Sequence, residues 1–133
     1  MNYQEIPLRT RSRAEMVDIT GHLARLLQES RVGDGVMIVF VPHTTAAVTV
    51  NENADPSVQH DILADLGRLV PPRGSYRHTE GNSDAHIKAA LLGSSQTLLV
   101  QGGRIALGTW QGVYFCEFDG PRSRKVWVKI IPD

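Results

Sequence analysis

Residues 36–50, VMIVFVPHTTAAVTV, decide the fold. The run 36–41 is continuously apolar and ends at Pro42, a pattern that predicts a central strand buried on both faces. After a His-Thr-Thr turn, residues 46–50 are again apolar and β-branched and predict a second strand. These two strands indicate a chain in which strands dominate, with helices before and after them.

Before this stretch, the chain predicts two short strands and one helix. The strands cover residues 3–10 and 15–19, with a basic turn between them. The helix covers residues 20–30, with Thr20 as a candidate cap at its start and Gly33 beyond its end.

After it, two further helices are predicted. The first begins at Pro56, because proline is favoured at the first helical position, and it ends at the turn 71–74. The polar stretch 76–84 has no period. Ser83 then caps a helix that runs to Gly93, the expected C′ residue.

The remainder is predicted to be β-structure, with Gly102-Gly103 as a two-residue hairpin turn. The predicted strands cover residues 96–101, 104–107, 111–118 and 124–131, the last of them at a sheet edge. The fold class is therefore α/β of the α+β type: a single domain, residues 1–133, with a mostly antiparallel or mixed sheet and about three helices. A doubly wound parallel fold is excluded, because no glycine-rich fingerprint follows a strand.

Composition narrows the class of protein. The 133 residues are 41% hydrophobic and 21% charged, which is typical of a globular chain. Fourteen basic residues balance fourteen acidic ones, so there is no broad attraction to nucleic acid or membrane and little repulsion between copies. The lone cysteine, Cys116, lies in an apolar run and is predicted to be buried. With no disulfide partner, apolar spanning run or signal-peptide core, the chain is expected to be cytoplasmic.

The histidine at position 43 stands out among five. It directly follows a buried strand, where the rigid sheet can hold a reactive group, and two hydroxyls follow at Thr44 and Thr45. The alternative is a structural histidine bonded to a nearby carbonyl. His22 and His60 lie within predicted helices and are expected to be surface or half-buried residues, not ligands.

Two polar segments accompany His43. In residues 51–55, Glu52 is a candidate catalytic acid, whereas Asp55 is equally well explained as a helix cap. The densest segment, 76–86, contains His78, Glu80, Asn82, Asp84 and His86. Imidazoles and carboxylates are zinc ligands, although the spacing matches no zinc motif. Metal-free acid–base catalysis by a histidine and a carboxylate is the alternative.

Arginines and one aromatic segment complete the candidates. Arg104 follows the diglycine turn, and Arg122 and Arg124 flank Ser123; they could bind a phosphate or remain solvated. The glycine-bracketed pair Trp110-Gln111 predicts either a bulge that turns the indole toward a pocket or a subunit, or a core tryptophan beside a bend.

Four blocks in this order resemble the YjbQ-like family, which is also catalogued as secondary thiamine-phosphate synthase enzymes. They are residues 43–47 (HTTAA), 51–56 (NENADP), 80–86 (EGNSDAH) and 108–112 (GTWQG), and the likeness extends from about residue 3 to residue 131. The resemblance implies a β-sandwich-like body, a homotrimer, and a polar cleft near the subunit contacts.

The resemblance also implies site residues and a reaction. His43, His78 and His86 would bind a divalent metal, zinc foremost. The reaction would join a thiazole phosphate to a pyrimidine diphosphate with loss of pyrophosphate, whose charge the metal with Arg104 or Arg122 would neutralise. The candidate catalytic residues are Glu52, Asp55, Glu80 and Asp84. The candidate substrate-binding residues are Thr44, Thr45, Asn82, Arg104, Trp110, Gln111 and Arg122. The partners expected are a small phosphorylated substrate and two further copies of the chain. A non-catalytic metal- or phosphometabolite-binding protein and a purely structural cluster are the alternatives.

Overall fold

The computed structural model describes residues 2–133, which form eight strands and three helices. In chain order these are β1 (Gln4–Arg9), β2 (Glu15–Asp18), α1 (Thr20–Ser30), β3 (Gly35–Phe40), β4 (Ala46–Glu52), α2 (Pro56–Leu69), α3 (Ser83–Leu92), β5 (Ser95–Gln101), β6 (Arg104–Ile105), β7 (Gln111–Glu117) and β8 (Ser123–Pro132). Every predicted strand and helix is present, and the predicted first and last residues differ from the observed ones by a few positions.

The strands form two sheets in which every pairing is antiparallel. The five-stranded sheet has the order β1-β8-β3-β5-β6, and the three-stranded sheet has the order β2-β7-β4. The prediction that the last strand lies at a sheet edge was wrong, because β8 pairs with β1 on one side and with β3 on the other. Its partial alternation reflects an exposed outer face of the sheet.

The main core lies between the two sheets. Met37 and Val39 of β3 face inward from the five-stranded sheet, and Val113 and Phe115 of β7 face them from the other. Helix α1 closes one side with Leu23 and Leu27. The prediction that β3 is buried on both faces was wrong: alternate residues, ending with Phe40, point to the uncovered outer face.

Helix α3 covers the outer face of the three-stranded sheet. Ala85 and Ala89 pack against Ala47, Tyr114 and Cys116, and the small alanines let the helix approach closely. Cys116 is buried, as predicted, and burial raises the pKa of its thiol to about 12. The thiol is therefore a packing group in the folded protein and not a reactive thiolate.

The predicted local signals were correct at Asp55 and at the diglycine turn. The side chain of Asp55 accepts a hydrogen bond of 2.9 Å from the amide of Ser57, which is N-cap geometry. Gly102 and Gly103 have φ of 58° and 74°, as a two-residue hairpin turn of this class requires.

The other two predicted caps were wrong. The N-cap of α1 is Ile19, and the Thr20 hydroxyl instead accepts from the amide of Val113 at 2.8 Å. The N-cap of α3 is Asn82, with Ser83 already inside the helix. No helix in residues 2–133 combines the length and apolar character that crossing a membrane requires.

Candidate functional site

A polar cleft opens at one end of the sandwich, where β3 leaves its sheet and β4 begins. It has a volume of about 520 Å³ and is lined by Phe40–Thr45, Ser94, Arg122 and Arg124. We call it the strand-end cleft. The predicted loop His43-Thr44-Thr45 forms one wall, and the start of β8 forms another.

A buried ion pair of Glu117 with Arg124 lies beside the strand-end cleft, and only Arg124 of the two reaches its lining. Glu117 accepts from Nε of Arg124 at 2.8 Å and also from its Nη2, which is a bidentate contact. The Thr10 hydroxyl at 2.7 Å and the amide of Asp119 at 3.0 Å donate to the same carboxylate. Burial alone would raise the pKa of Glu117, but these donors outweigh it and lower the pKa, so the side chain is a carboxylate.

Arg124 connects this ion pair to the loop above it. Its Nη2 donates to the Thr45 hydroxyl at 2.8 Å and to the Thr45 carbonyl at 3.3 Å. Its Nη1 makes no hydrogen bond within residues 2–133, yet it is not among the buried polar atoms and Arg124 lines the cleft. The guanidinium is thus held on one side and presents its remaining N–H groups to the cleft.

His43 is fixed by a backbone contact. Its Nε2 accepts a hydrogen bond of 3.0 Å from the amide of Lys125, and its ring meets the edge of Phe115 at 6.5 Å between centroids. Burial, and then the charge of Arg124, lower the pKa of His43, so the ring is neutral at neutral pH. Because Nε2 uses its lone pair as an acceptor, the ring proton lies on Nδ1. The alternative predicted for this histidine had a carbonyl as partner; the partner is an amide.

The other two predicted metal ligands lie together in a second cleft. The rings of His78 and His86 meet edge to face, with centroids 5.4 Å apart. This cleft of about 500 Å³ is lined by Ser75–His78, Ser83, His86 and Ile87, and we call it the histidine-pair cleft. Glu80 places Oε2 3.7 Å from Nε2 of His78.

The three histidines do not form one group within a chain. Residues 2–133 contain no set of three His, Cys, Asp or Glu side chains placed to hold a single metal ion. His78 and His86 line one cleft, whereas His43 lines the other. A shared ion on all three rings would therefore have to involve a second copy of the chain.

Asp84 and Asn82 belong to an ionic cluster at the start of α3. Asp84 pairs with Nζ of Lys88 at 2.9 Å and with Arg13 at 3.2 Å, so each of its oxygens has a cationic partner. Asn82 donates to Asp119 at 2.8 Å, while its own Oδ1 is buried with no protein partner. These contacts favour a structural role for Asp84, since a proton acceptor in catalysis needs a free oxygen.

The remaining candidates lie far from the strand-end cleft. Strand β4 starts at that cleft and ends at Glu52, opposite Gln111, and its length at about 3.4 Å per residue is on the order of 20 Å. Trp110 is 63% exposed beside Gln111, so the core alternative for this tryptophan was wrong. Arg104 lies on the exposed β5–β6 hairpin. Asp55, at the start of α2, follows Glu52 closely.

Sequence reasoning left Thr10, Glu117 and Lys88 out of the site. A signal existed for one of them: Glu117 is an acid in the apolar run 113–118, in phase with the inward-facing Val113 and Phe115. A charge at an inward strand position requires a buried counter-charge. Arg124 fits that requirement, since it shares the inward phase of Val126 on β8.

Known proteins resemble this chain over nearly its whole length. A family model described as UPF0047 protein YjbQ-like matches residues 4–133. A UPF0047 protein of Methanocaldococcus jannaschii is 54% identical over 126 residues, which cover 95% of this chain and 91% of that protein. The UPF0047 protein YugU of Bacillus subtilis is 46% identical over 127 residues, 95% of this chain and 96% of YugU.

Solved structures share the fold. An uncharacterised conserved protein of the YjbQ/UPF0047 family from Clostridium acetobutylicum matches with a TM-score of 0.95 and 55% identity, over 96% of this chain and 99% of its own. A hypothetical protein from Aeropyrum pernix matches with a TM-score of 0.94 and 37% identity over 100% of both chains. The α+β class and the family resemblance predicted from the sequence are both confirmed.

Proposed function

This chain belongs to the UPF0047 protein YjbQ-like family, and we propose that it is an enzyme acting on a small phosphorylated molecule. The observation that carries the proposal is the histidine pair. His78 and His86 meet at 5.4 Å in an open cleft, with the Glu80 carboxylate 3.7 Å from His78. Imidazole is the side chain best suited to proton transfer near neutral pH, and a neighbouring carboxylate orients it.

A divalent metal, zinc foremost, is the proposed cofactor. Catalytic zinc is held by three protein ligands and keeps one open position. His78 and His86 supply two of the three, and the third ligand would come from a second chain. For His43 to be that ligand through Nε2, its hydrogen bond from the Lys125 amide would have to be released. The metal would activate water or stabilise negative charge on a substrate.

A homotrimer is the proposed assembly. Helix α2 has no fully buried residue, and Leu69 at its end is 76% exposed. On the opposite side of the molecule, Leu99 on the outer face of the five-stranded sheet is 65% exposed. On α2, Leu69 belongs to a groove with Val58, Ile62 and Leu66, and contiguous apolar surface of this kind often marks a protein interface. A contact between two different faces closes into a trimer when it rotates each copy by a third of a turn.

The first reaction to test is the one that the family resemblance implies. It joins a thiazole phosphate to a pyrimidine diphosphate and releases pyrophosphate. The strand-end cleft offers two arginines and the histidine-pair cleft offers proton-transfer groups. A non-catalytic metal- or phosphometabolite-binding protein is the second candidate; the two arginines of the strand-end cleft could bind a phosphate without any turnover.

The deciding experiment compares His86→Ala with His22→Ala. His22 is exposed on α1, away from both clefts, and is the matched control. We expect wild type and His22→Ala to retain zinc by elemental analysis and to turn over substrate, and His86→Ala to lose both. Full zinc content and turnover in His86→Ala would sink the proposal. Zinc retention without turnover in the wild type, across a panel of phosphorylated metabolites, would favour the binding protein.

A further inference from the structure

We propose that the strand-end cleft is a binding site for a phosphoryl group, separate from the histidine pair, with Arg124, Arg122, His43 and Thr44 as its donors. This places the phosphate of the proposed substrate. It rests on the proposed function for the identity of that substrate, but not for the binding itself.

The first argument is the state of Arg124. Its side chain is 3% exposed, and its contacts with Glu117 and Thr45 use Nε and Nη2. Nη1 keeps its donors unused and faces the cleft. Because contacts within the protein fix the rest of the guanidinium, Nη1 is a preorganised, charged donor for an acceptor that enters the cleft. Phosphate oxygens are the acceptors that match this group best.

A second arginine repeats this arrangement at the mouth of the cleft. Arg122 donates from Nε to the carbonyl of Asp119 at 2.9 Å and from Nη2 to its carboxylate at 3.1 Å. Its Nη1 has no partner within residues 2–133. Each arginine is thus held by an acid of the β7–β8 region, and the two acids act as positioning residues for side chains that line the cleft.

The third argument is the chemistry of the lining. None of the residues that line the cleft is acidic, and the nearby carboxylates of Glu117 and Asp119 are each paired with an arginine of the lining. His43 accepts from the Lys125 amide through Nε2, so its free polar atom is the Nδ1–H donor, and Thr44 adds an exposed hydroxyl. A set composed of donors suits a phosphate monoester, whose oxygens are all acceptors. The cleft volume of about 520 Å³ exceeds that of a phosphate and leaves room for an organic group.

The experiment measures binding of inorganic phosphate by nitrogen-15 NMR of the histidine rings, at constant ionic strength against chloride. We expect the His43 signals to move with phosphate and those of His22 to stay. Arg122→Gln alters an exposed side chain and should fold, and Arg124→Lys keeps a charge for Glu117 but loses the second donor end. Each should weaken phosphate binding about tenfold, since one charge-assisted hydrogen bond is lost. Arg25→Gln, an exposed arginine of α1, is the control.

The outcomes separate this proposal from the enzyme proposal. Phosphate that binds no better than chloride, or equal affinity in wild type and Arg122→Gln, would overturn it whether or not Arg124→Lys folds. His86→Ala should bind phosphate like the wild type. Binding that survives in His86→Ala while turnover is lost supports both proposals, and phosphate binding in a protein with no turnover supports this one alone.

Discussion

At the scale of single residues, Glu117 connects three separate segments of the chain. Its carboxylate is fully buried and holds together the end of β1 through Thr10, the start of β8 through Arg124, and the loop that follows β7 through Asp119. A buried charge pair of this kind is held by good geometry and complete hydrogen bonding, because both ions have lost their water. Removing one partner leaves the other charge uncompensated in the interior.

We therefore expect Glu117→Gln to lower the free energy of unfolding by about 3 kcal/mol at pH 7. The effect should depend on pH in one direction. The folded-state pKa of Glu117 is lowered, so its contribution is complete above the unfolded pKa of about 4.3 and is lost as the pH falls through the folded value. Urea unfolding of the wild type and of Glu117→Gln at pH 7 and pH 3 measures this. The prediction is contradicted if the difference in free energy of unfolding between these two proteins is the same at both pH values.

The site residues themselves could be predicted only where the local pattern carries the chemistry. His43 after its strand, and the histidine-rich segment 76–86, were both visible in the sequence. The partnership of Glu117 with Arg124 was not, because it depends on two strands ending at the same end of the sandwich. Asp84 shows the converse: its acid was visible, but Lys88 and Arg13, which occupy it, become neighbours only in the folded chain.

At the scale of elements, the connection from β7 to β8 passes very close to its surroundings. A Cβ on Gly120 would lie 2.3 Å from the carbonyl oxygen of Ser12 and 2.9 Å from the Thr10 hydroxyl. Because the nearest of these atoms is backbone, a side chain there cannot be accommodated by a rotamer change alone. The packing of this connection, and hence the position of Arg122, depends on the absence of a side chain.

Gly120→Ala should therefore destabilise the protein by on the order of 1–3 kcal/mol. The matched control is Gly67→Ala in α2, where nothing lies within 4 Å of the added Cβ. Helix propensity predicts that this second change stabilises by up to about 1 kcal/mol. Thermal unfolding of both variants measures the pair, and an equal effect from the two substitutions would show that the close approach has no energetic weight.

Strand and helix positions followed from local signals, but their neighbours did not. Alternation and punctuating glycines and prolines predicted β3 and β8 within a few residues, since these cues act within one strand. The placement of β8 between β1 and β3 joins segments that lie far apart in sequence. The uncovered outer face that this order leaves on β3 is likewise a property of the sheet, so burial on both faces was the wrong expectation.

At the scale of the whole molecule, two features favour assembly of several copies of the chain. Large apolar side chains are exposed, and the three candidate metal-binding histidines are split between two clefts. The wild type should have a solution mass of three times 14.7 kDa by light scattering. Leu69→Glu should lower the solution mass, because a charge would replace an apolar side chain of α2. Gln28→Glu, at an exposed position of α1, should leave the mass unchanged. A wild-type mass of 14.7 kDa, or a trimer that tolerates Leu69→Glu, would contradict this assembly through α2.

The thiol of Cys116 can report local opening of the folded protein. It is shut beneath α3 and stays protonated, so an alkylating reagent can modify it only in molecules whose helical layer has lifted from the sheet. Since the chain has a single sulfhydryl, each labelling event reports one such excursion. The rate of alkylation of the wild-type protein therefore measures how often α3 separates from the sheet.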